Sequence, residues 1–206
     1  MVRIKICGIT NLKDALEISS LNIHALGFIL SDSPRKIKLS EAIKISSFLP
    51  PFINRVAVVV NPSIWELESI ENSKAFDYVQ FHGNEDLNLI KRCKLKTIKA
   101  IKISKETSTT NLNVEELKDI VDYFLFDTKV EQKLGGTGKT FDWSILKKLN
   151  INKPFILAGG IGPDNVIQAL NELNPVAIDL NSKVEESPGK KDINLIKKTL
   201  EIIKNT

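Results

Sequence analysis

Short runs rich in β-branched and aromatic residues recur along the whole chain, and the starts of successive runs lie about 19–31 residues apart. Several are apolar without alternation, as in 56–60, which is typical of strands covered on both faces in a parallel sheet. The pattern predicts eight strands, at Arg3–Cys7, Ala25–Leu30, Arg55–Val60, Tyr78–His82, Thr97–Ile103, Tyr123–Asp127, Pro154–Ala158 and Ala177–Asn181.

Segments with helical periodicity lie between these runs. Asp192–Lys204 places four aliphatic residues on one stripe with lysines opposite, which predicts an amphipathic helix. Ser63 and Glu66 have the spacing of a capping box, and Pro62 and Pro163 suit the first turn of a helix. The remaining helix candidates are 11–21, 41–49, 85–93, 114–121, 142–149 and 163–173.

Strict alternation of strands and helices requires right-handed crossovers and a parallel sheet. Eight such units form either an open doubly wound sheet or a closed barrel. The pattern favours an α/β fold, a single (β/α)8 TIM barrel over residues 1–206, although 206 residues is near the low end for that fold. An open eight-stranded sheet remains the structural alternative.

Composition narrows the functional classes. The chain is 42% hydrophobic and 26% charged, as in soluble globular proteins, and no apolar run approaches the roughly 18–20 residues that span a bilayer. Arg3 and Lys5 interrupt the apolar N-terminus, so no secretory signal is expected. Two cysteines make no disulfide framework, which predicts a cytoplasmic protein. The net charge of +4 is scattered, which argues against nucleic acid and membrane partners and weakly favours anionic small substrates.

Polar residues at the C-terminal ends of the strands are the candidates for catalysis, because barrel enzymes carry their active sites there. Cys7 ends the first strand and Asp127 the sixth, so a thiolate and a carboxylic acid would face each other across the mouth and move protons on a bound substrate. A buried structural cysteine and a turn-capping aspartate are the alternatives. Arg35 is placed to hold a carboxylate, or is a surface arginine, and His82 either contacts a ligand or packs in its loop.

Two glycine-rich loops follow the seventh and eighth strands, where many barrels bind phosphate. The alternative is that these glycines only turn the chain. Gly138-Lys139-Thr140 resembles the end of a nucleotide-binding P-loop, but Lys133 stands where that motif needs glycine. No cluster of His, Cys, Asp or Glu has the spacing of a metal site, so no metal is expected.

Together these motifs resemble phosphoribosylanthranilate isomerase, a barrel enzyme of tryptophan biosynthesis, along the whole chain. The resemblance rests on seven ordered motifs: Lys5-Ile6-Cys7-Gly8-Ile9-Thr10; Gly27-Phe28 with Ser33-Pro34-Arg35; Val79-Gln80-Phe81-His82-Gly83; Phe126-Asp127; Gly135-Gly136-Thr137-Gly138 with Phe141-Asp142-Trp143; Leu157-Ala158-Gly159-Gly160-Ile161; and Val184-Glu185 with Ser187-Pro188-Gly189-Lys190-Lys191-Asp192.

The resemblance implies an Amadori rearrangement of N-(5-phosphoribosyl)anthranilate without a cofactor. Asp127 would be the general acid and Cys7 the general base, and Arg35 would hold the anthranilate carboxylate. The other implied substrate-binding residues are His82, Asp179, Gly136 in a mobile flap, and the phosphate-binding Gly159, Gly160, Asn181 and Ser182. The acid must keep its proton near neutral pH, whereas the base must be a thiolate part of the time, which helix N-termini around the mouth could favour.

The sequence departs from the family pattern in two loops that would bind the substrate. Lys183 replaces the glycine of the usual Ser-Ser-Gly-Val-Glu, which changes the phosphate loop, and the loop from Phe28 to Ser33 is one residue shorter than usual, which affects the position of Arg35. Two rival functions remain: another sugar-phosphate barrel, such as ribulose-phosphate epimerase or indole-glycerol-phosphate synthase, and a barrel that binds a phosphorylated ligand without turnover. The chain is expected to be a monomer or a homodimer.

Overall fold

Eight parallel strands close into a barrel in the computed structural model, which describes residues 2–103, 114–128, 143–148 and 153–205. Neighbours in sequence are neighbours in space, and the barrel closes where the first strand pairs with the last. The strands are β1 Arg3–Cys7, β2 Ala25–Ile29, β3 Asn54–Val59, β4 Tyr78–Phe81, β5 Lys96–Ile103, β6 Tyr123–Thr128, β7 Phe155–Ala158 and β8 Ala177–Leu180. The predicted (β/α)8 TIM barrel is therefore confirmed, and the open sheet is excluded.

A helix follows each strand. The helices are α1 Leu12–Ser19, α2 Leu39–Ser46, α3 Ile64–Asn72, α4 Leu87–Lys91, α5 Val114–Leu117, α6 Ser144–Lys148, α7 Val166–Leu173 and α8 Ile193–Lys204. The capping box of Ser63 and Glu66 is confirmed at α3, and Asp192 caps α8. The first-turn role predicted for the two prolines is wrong, because Pro62 precedes the Ser63 cap and Pro163 lies three residues before α7.

The strands separate two apolar cores. Residues on the outer face of the barrel pack against the helices, and this layer contains the large side chains of Phe28, Phe81 and Phe126. Inward-facing residues form a second, smaller cluster that fills the barrel. Its buried members are Cys7, Val56, Val58, Ile98, Ala100, Leu125, Ile156 and Ala158. Cys7 therefore faces the interior of the barrel, as its place at the end of β1 predicted.

A small hairpin after β8 was absent from the predicted elements. A 3-10 helix, Ser182–Val184, leads into β9 Glu185–Ser187, which pairs antiparallel with β10 Lys190–Lys191. Gly189 has a φ of +83° in the turn, a backbone conformation that side chains disfavour. Strands this short and this charged carry no hydrophobic periodicity, so only the structure reveals that the hairpin brings Glu185 and Lys191 to the mouth of the barrel.

No helix in the described part of the chain combines the length and the apolar character that crossing a bilayer requires.

Candidate active site

A cavity of about 340 Å³ opens at the mouth of the barrel, where the C-terminal ends of the strands meet. Every predicted site residue that the structure describes lines this cavity: Cys7, Arg35, His82, Asp127, Gly159, Gly160, Asp179, Asn181 and Ser182. The predicted flap residue Gly136 lies outside the described residues. The fold thus brings residues that are up to 175 positions apart in the sequence, from Cys7 to Ser182, to one cavity.

Cys7 lies on the inner face of β1 and is almost fully buried. Burial raises the pKa of the Cys7 thiol above its ordinary value, while the charges of Lys5 and, more weakly, Lys191 oppose that rise. Desolvation outweighs the two cations, and the expectation that helix N-termini favour the thiolate stays a prediction. The side chains that oppose the rise are two lysines that the sequence reasoning passed over.

Lys5 and Asp179 form a buried ion pair at the base of the mouth. The Lys5 Nζ lies 2.7 Å from Asp179 Oδ2, and both side chains are at most 6% exposed. The two residues are register partners across the β1–β8 seam, which explains their contact. Burial alone would lower the pKa of Lys5, but the Asp179 carboxylate and then Cys7 raise it, so the ammonium persists at neutral pH.

Asp127 projects from β6 into the mouth and contacts His82. The His82 Nε2 lies 3.1 Å from Asp127 Oδ2, and the Gln80 Nε2 lies 3.4 Å from His82 Nδ1. If the Gln80 amide donates to Nδ1, the ring proton sits on Nε2 and is donated to the carboxyl group. Gln80 was missed by the sequence reasoning, although it shares a strand face with position 82.

The loop that carries His82 is fixed by a second buried ion pair. Glu85 Oε1 accepts from the backbone N–H groups of Gly83, at 2.6 Å, and of Asn61, at 3.1 Å. Its other oxygen accepts from the Lys99 ammonium at 2.6 Å, and Lys99 lies on the outer face of β5, between the inward-facing Ile98 and Ala100. Gly83 has no room for a side chain, because an added Cβ would lie 2.4 Å from Asn61 Oδ1.

Glu185 holds two cations at one side of the mouth. Arg35 donates to it from Nε, at 3.0 and 2.9 Å, and from Nη2, at 2.7 Å, while the Lys191 Nζ lies 2.7 Å from Oε1. Lys191 also donates to Asn181 Oδ1 at 3.0 Å. Burial alone would raise the pKa of Glu185, but hydrogen bonds from Arg35 and Lys191 hold it below its ordinary value. Arg35 thus reaches the cavity with its orientation set by a carboxylate, since the Glu185 side chain is only 3% exposed.

The glycine-rich loop after β7 forms another side of the cavity. Gly159 and Gly160 have φ values of +90° and +63°, so both adopt a conformation that side chains rarely take. Asn165 fixes the loop, because its Nδ2 donates to the carbonyl of Gly160 at 3.0 Å and its Oδ1 accepts from the N–H of Gly162 at 2.9 Å. These hydrogen bonds hold the loop in one conformation, which suits a phosphate site.

The matching family model is described as N-(5'phosphoribosyl)anthranilate (PRA) isomerase, and it covers residues 4–202. The N-(5'-phosphoribosyl)anthranilate isomerase of Petrotoga mobilis is 61% identical over 203 residues, which are 98% of this chain and 97% of that protein. The chain belongs to the phosphoribosylanthranilate isomerase family.

Solved structures of the family superimpose on the whole barrel. One is a phosphoribosylanthranilate isomerase in complex with reduced 1-(o-carboxyphenylamino)-1-deoxyribulose 5-phosphate, with a TM-score of 0.85, 35% identity and full coverage of both chains. Another is a monomeric form generated from the dimeric phosphoribosylanthranilate isomerase of Thermotoga maritima, with a TM-score of 0.84, 32% identity and full coverage of both chains.

The two departures from the usual phosphoribosylanthranilate isomerase pattern lie in the mouth. Lys183 lines the cavity beside Ser182, and its backbone sits in the short 3-10 helix, so a side chain is accommodated where the family commonly has glycine. Gly162 makes this possible, because a Cβ there would lie 2.7 Å from Lys183 Cβ. The shorter loop before Arg35 does not remove the guanidinium from the cavity.

Proposed function

We propose that this chain catalyses the Amadori rearrangement of N-(5-phosphoribosyl)anthranilate to 1-(2-carboxyphenylamino)-1-deoxyribulose 5-phosphate, in tryptophan biosynthesis. The observation that carries the proposal is one cavity lined by a thiol, a carboxyl group, a guanidinium and a rigid glycine loop, contributed by Cys7, Asp127, Arg35 and Gly159–Gly160. Membership of the family supplies the reaction, and the cavity supplies a group for each of its steps.

The acid step is assigned to Asp127. Its carboxyl group donates a proton to the ribose ring oxygen as the bond from that oxygen to C1 breaks, and the nitrogen lone pair forms the C=N bond of a Schiff base. His82 supports this role, because its contact with Oδ2 fixes the carboxyl group and leaves Oδ1 to carry the proton. Asp127 must therefore be protonated when the ring opens.

The base step is assigned to Cys7. Its thiolate removes the proton from C2, the electrons of that C–H bond form the C1=C2 double bond, and the C=N electrons return to nitrogen. The enolamine then gains a proton at C1 and loses one from the C2 hydroxyl to become the ketone. The steps involve proton transfers only, with no redox change and no group transfer, so the reaction needs no cofactor.

The mouth offers separate groups for the two anionic ends of the substrate. Arg35 presents its remaining guanidinium donors to the anthranilate carboxylate, while Glu185 occupies Nε and one Nη2 donor. The loops with Gly159, Gly160, Asn181 and Ser182 hold the phosphate, next to the ammonium of Lys183. The substrate-binding roles of His82 and Asp179 are proposed on the same ground, since both side chains line the cavity.

Loss of the substrate's aromatic fluorescence, measured with freshly made phosphoribosylanthranilate against the uncatalysed rate, tests the proposal. We expect Cys7→Ser and Asp127→Asn each to lower kcat by at least about 10²-fold, the scale of removing a general base or acid. Cys93→Ser is the matched control, because Cys93 lies outside the mouth in the apolar layer between strands and helices. Turnover close to wild type in either active-site variant would remove the role assigned to that residue.

We further propose that the chain acts in the cytoplasm as a homodimer. Phe48 and Phe52 lie between α2 and β3, at the N-terminal end of the barrel, and are 56% and 96% exposed. Phe52 also has a φ of +70°, and such strain at an exposed aromatic side chain suggests a contact with a second molecule.

Light scattering should show the mass of two chains for wild type and one chain for Phe52→Ser. Trp65→Ser, which removes another exposed aromatic, should leave the dimer mass unchanged, and a monomeric wild type would contradict the proposal.

A further inference from the structure

Lys5 is a buried cation to which neither the acid step nor the base step assigns a role. It lies on the same face of β1 as Cys7, two residues earlier, so its side chain enters the barrel one layer below the thiol. Its ammonium nevertheless reaches the layer of Cys7. An ideal Cβ on Gly27, the register partner of Cys7 on β2, would lie 2.8 Å from Cys7 Sγ and 3.1 Å from Lys5 Nζ.

Gly27 therefore leaves a space that the Lys5 ammonium and the Cys7 sulfur share. Both groups border this one space, so the ammonium lies beside the thiol, and its charge lowers the pKa of Cys7. Asp179 holds the ammonium there through Oδ2 alone. Its Oδ1 is buried and has no hydrogen-bond partner among the residues that the structure describes, so the carboxylate is not saturated by Lys5.

The charges that face Cys7 come from several elements. Lys5 contributes one cation from β1 and Lys191 one from β10, against the carboxylate of Asp179 on β8. Arg35 and Lys183 line the same mouth, and Glu185 pairs with both Arg35 and Lys191. Asp127 and His82, which pair with each other across the mouth, also act on Asp179. Of Lys5, Lys191 and Asp179, two are cations and one is an anion when ionised, so together they favour a thiolate at Cys7 against the cost of its burial.

We propose that Lys5 is a positioning residue that stabilises the thiolate of Cys7, and that Asp179 controls how much of that stabilisation reaches the sulfur. The Cys7 thiol loses its proton to solvent, and the thiolate, held over the ammonium, takes the C2 proton of the substrate and becomes a thiol again. This proposal rests on the proposed role of Cys7 as the base.

Lys5→Met and Asp179→Asn should shift the ionisation of the Cys7 thiol in opposite directions. Without the ammonium the buried thiolate loses its nearest cation, so Lys5→Met makes the thiol harder to ionise. Asp179→Asn removes a negative charge near the sulfur and frees the ammonium, so it makes the thiol easier to ionise. A purely structural ion pair would give the same loss of stability for both variants and no opposed change in the ionisation of Cys7.

Alkylation by iodoacetamide, from pH 6 to the highest pH at which the fold persists, measures the ionisation of Cys7 without any substrate. Because burial raises the pKa of the Cys7 thiol, the rate on the acid side of the profile reports a midpoint that lies above that range. The background is Cys93→Ala, which leaves Cys7 as the single thiol of the chain. In wild type, burial raises the pKa of Cys93 to about 12, so its removal does not disturb a reactive group. Rates are taken from intact mass, and the folded state of each variant is checked by thermal unfolding.

We expect Lys5→Met to move the midpoint of the alkylation profile up by about one pH unit or more, a rate at least about 10-fold lower on the acid side of the profile. We expect Asp179→Asn to move the midpoint down. Lys99→Met is the matched control, because it also removes a buried lysine with a carboxylate partner, but on the outer face of β5, and it should leave the midpoint in place.

An unchanged midpoint in Lys5→Met, or shifts of the same sign in Lys5→Met and Asp179→Asn, would overturn the proposal. If Lys5→Met does not fold, Lys5→Gln takes its place, and a midpoint in Asp179→Asn at or above that of wild type overturns the proposal by itself. The limb of the pH–rate profile that belongs to Cys7 should move with the alkylation midpoint. Opposed alkylation shifts together with full turnover in Cys7→Ser would leave the Lys5–Cys7 coupling intact and contradict only the proposed mechanism.

Discussion

The two ends of the barrel each contain a cavity, and the larger of the two is lined mainly by apolar and aromatic side chains. The cavity at the N-terminal end measures about 450 Å³ and is lined largely by Val56, Tyr78, Ile98, Tyr123 and Ile156. The cavity at the mouth measures about 340 Å³, and its walls include Cys7, Asp127 and Asp179, with Glu185 directly behind Arg35. Between these two cavities, volume alone would select the N-terminal end. What distinguishes the mouth is that a thiol, two aspartates and an arginine line one cavity, whereas buried charge alone does not, since Lys5 also lines the N-terminal cavity.

Removing the Glu185 carboxylate should have the largest effect on the mouth. Glu185→Gln leaves Arg35 and Lys191 without their shared anion, so we expect a loss of about 3 kcal/mol in the free energy of unfolding. We also expect kcat/KM to fall about 10-fold, because Arg35 loses the charged hydrogen bonds that orient it. Thermal unfolding and steady-state kinetics measure the two effects.

Glu115→Gln is the control for this prediction. It breaks the ion pair with Lys118, in which the Glu115 side chain is 75% exposed, and should change the free energy of unfolding by less than about 0.5 kcal/mol. Equal stability losses in the two variants would mean that the buried ion pairs of Glu185 stabilise the fold no more than the exposed pair of Glu115 and Lys118.

Two valines on β3 allow the ends to be compared with the same chemical change. Val56 lines the N-terminal cavity and Val58 lines the mouth, and both are almost fully buried. We expect Val56→Ala and Val58→Ala each to lower the free energy of unfolding by about 2 kcal/mol, measured by urea denaturation. Only Val58→Ala should also lower kcat/KM, by about 3-fold, because it enlarges the substrate cavity. A matching loss of kcat/KM in Val56→Ala would show that the two ends are coupled.

The smallest expected effect concerns acid sensitivity at the N-terminal end. Burial, and then the charge of Arg3, lower the pKa of His24, and its Nδ1 accepts the N–H of Ile4 at 3.1 Å, so the folded protein favours the neutral ring. As the pH falls below about 6.5, the unfolded chain binds the proton first, and stability decreases. Urea denaturation at pH 7.5 and 5.5 should show a smaller acid-induced loss in His24→Gln than in wild type. An equal loss in both would exclude His24 as its source.

The sequence predicted the barrel because its signals are local and repeated. The unbroken apolar run in β3 and the stripe and Asp192 cap of α8 each specify an element without reference to the rest of the chain. Barrel geometry then places the residues that end each strand at one mouth, which is how Cys7 and Asp127 could be assigned to one cavity from their positions alone.

Other parts of the site depend on contacts between distant segments. Arg35 and Glu185 are 150 residues apart, and the hairpin that brings them together has no periodicity to reveal it. Lys5 was within reach, since strand alternation puts it on the face of Cys7, but a lysine in a strand suggests an exposed position until its buried partner Asp179 is known. The pKa of Cys7 could not be anticipated either, because burial and two buried cations act on it in opposite directions.

The seam between β1 and β8 joins two strands that are far apart in the sequence, since Lys5 and Asp179 are 174 residues apart. During synthesis the strand that carries Cys7 leaves the ribosome before β8, because Asp179 follows Lys5 by 174 residues. A nascent or C-terminally truncated chain would therefore hold the sulfur without the completed charge cluster around it. In this sense, the barrel becomes competent for catalysis only after β8 has paired with β1.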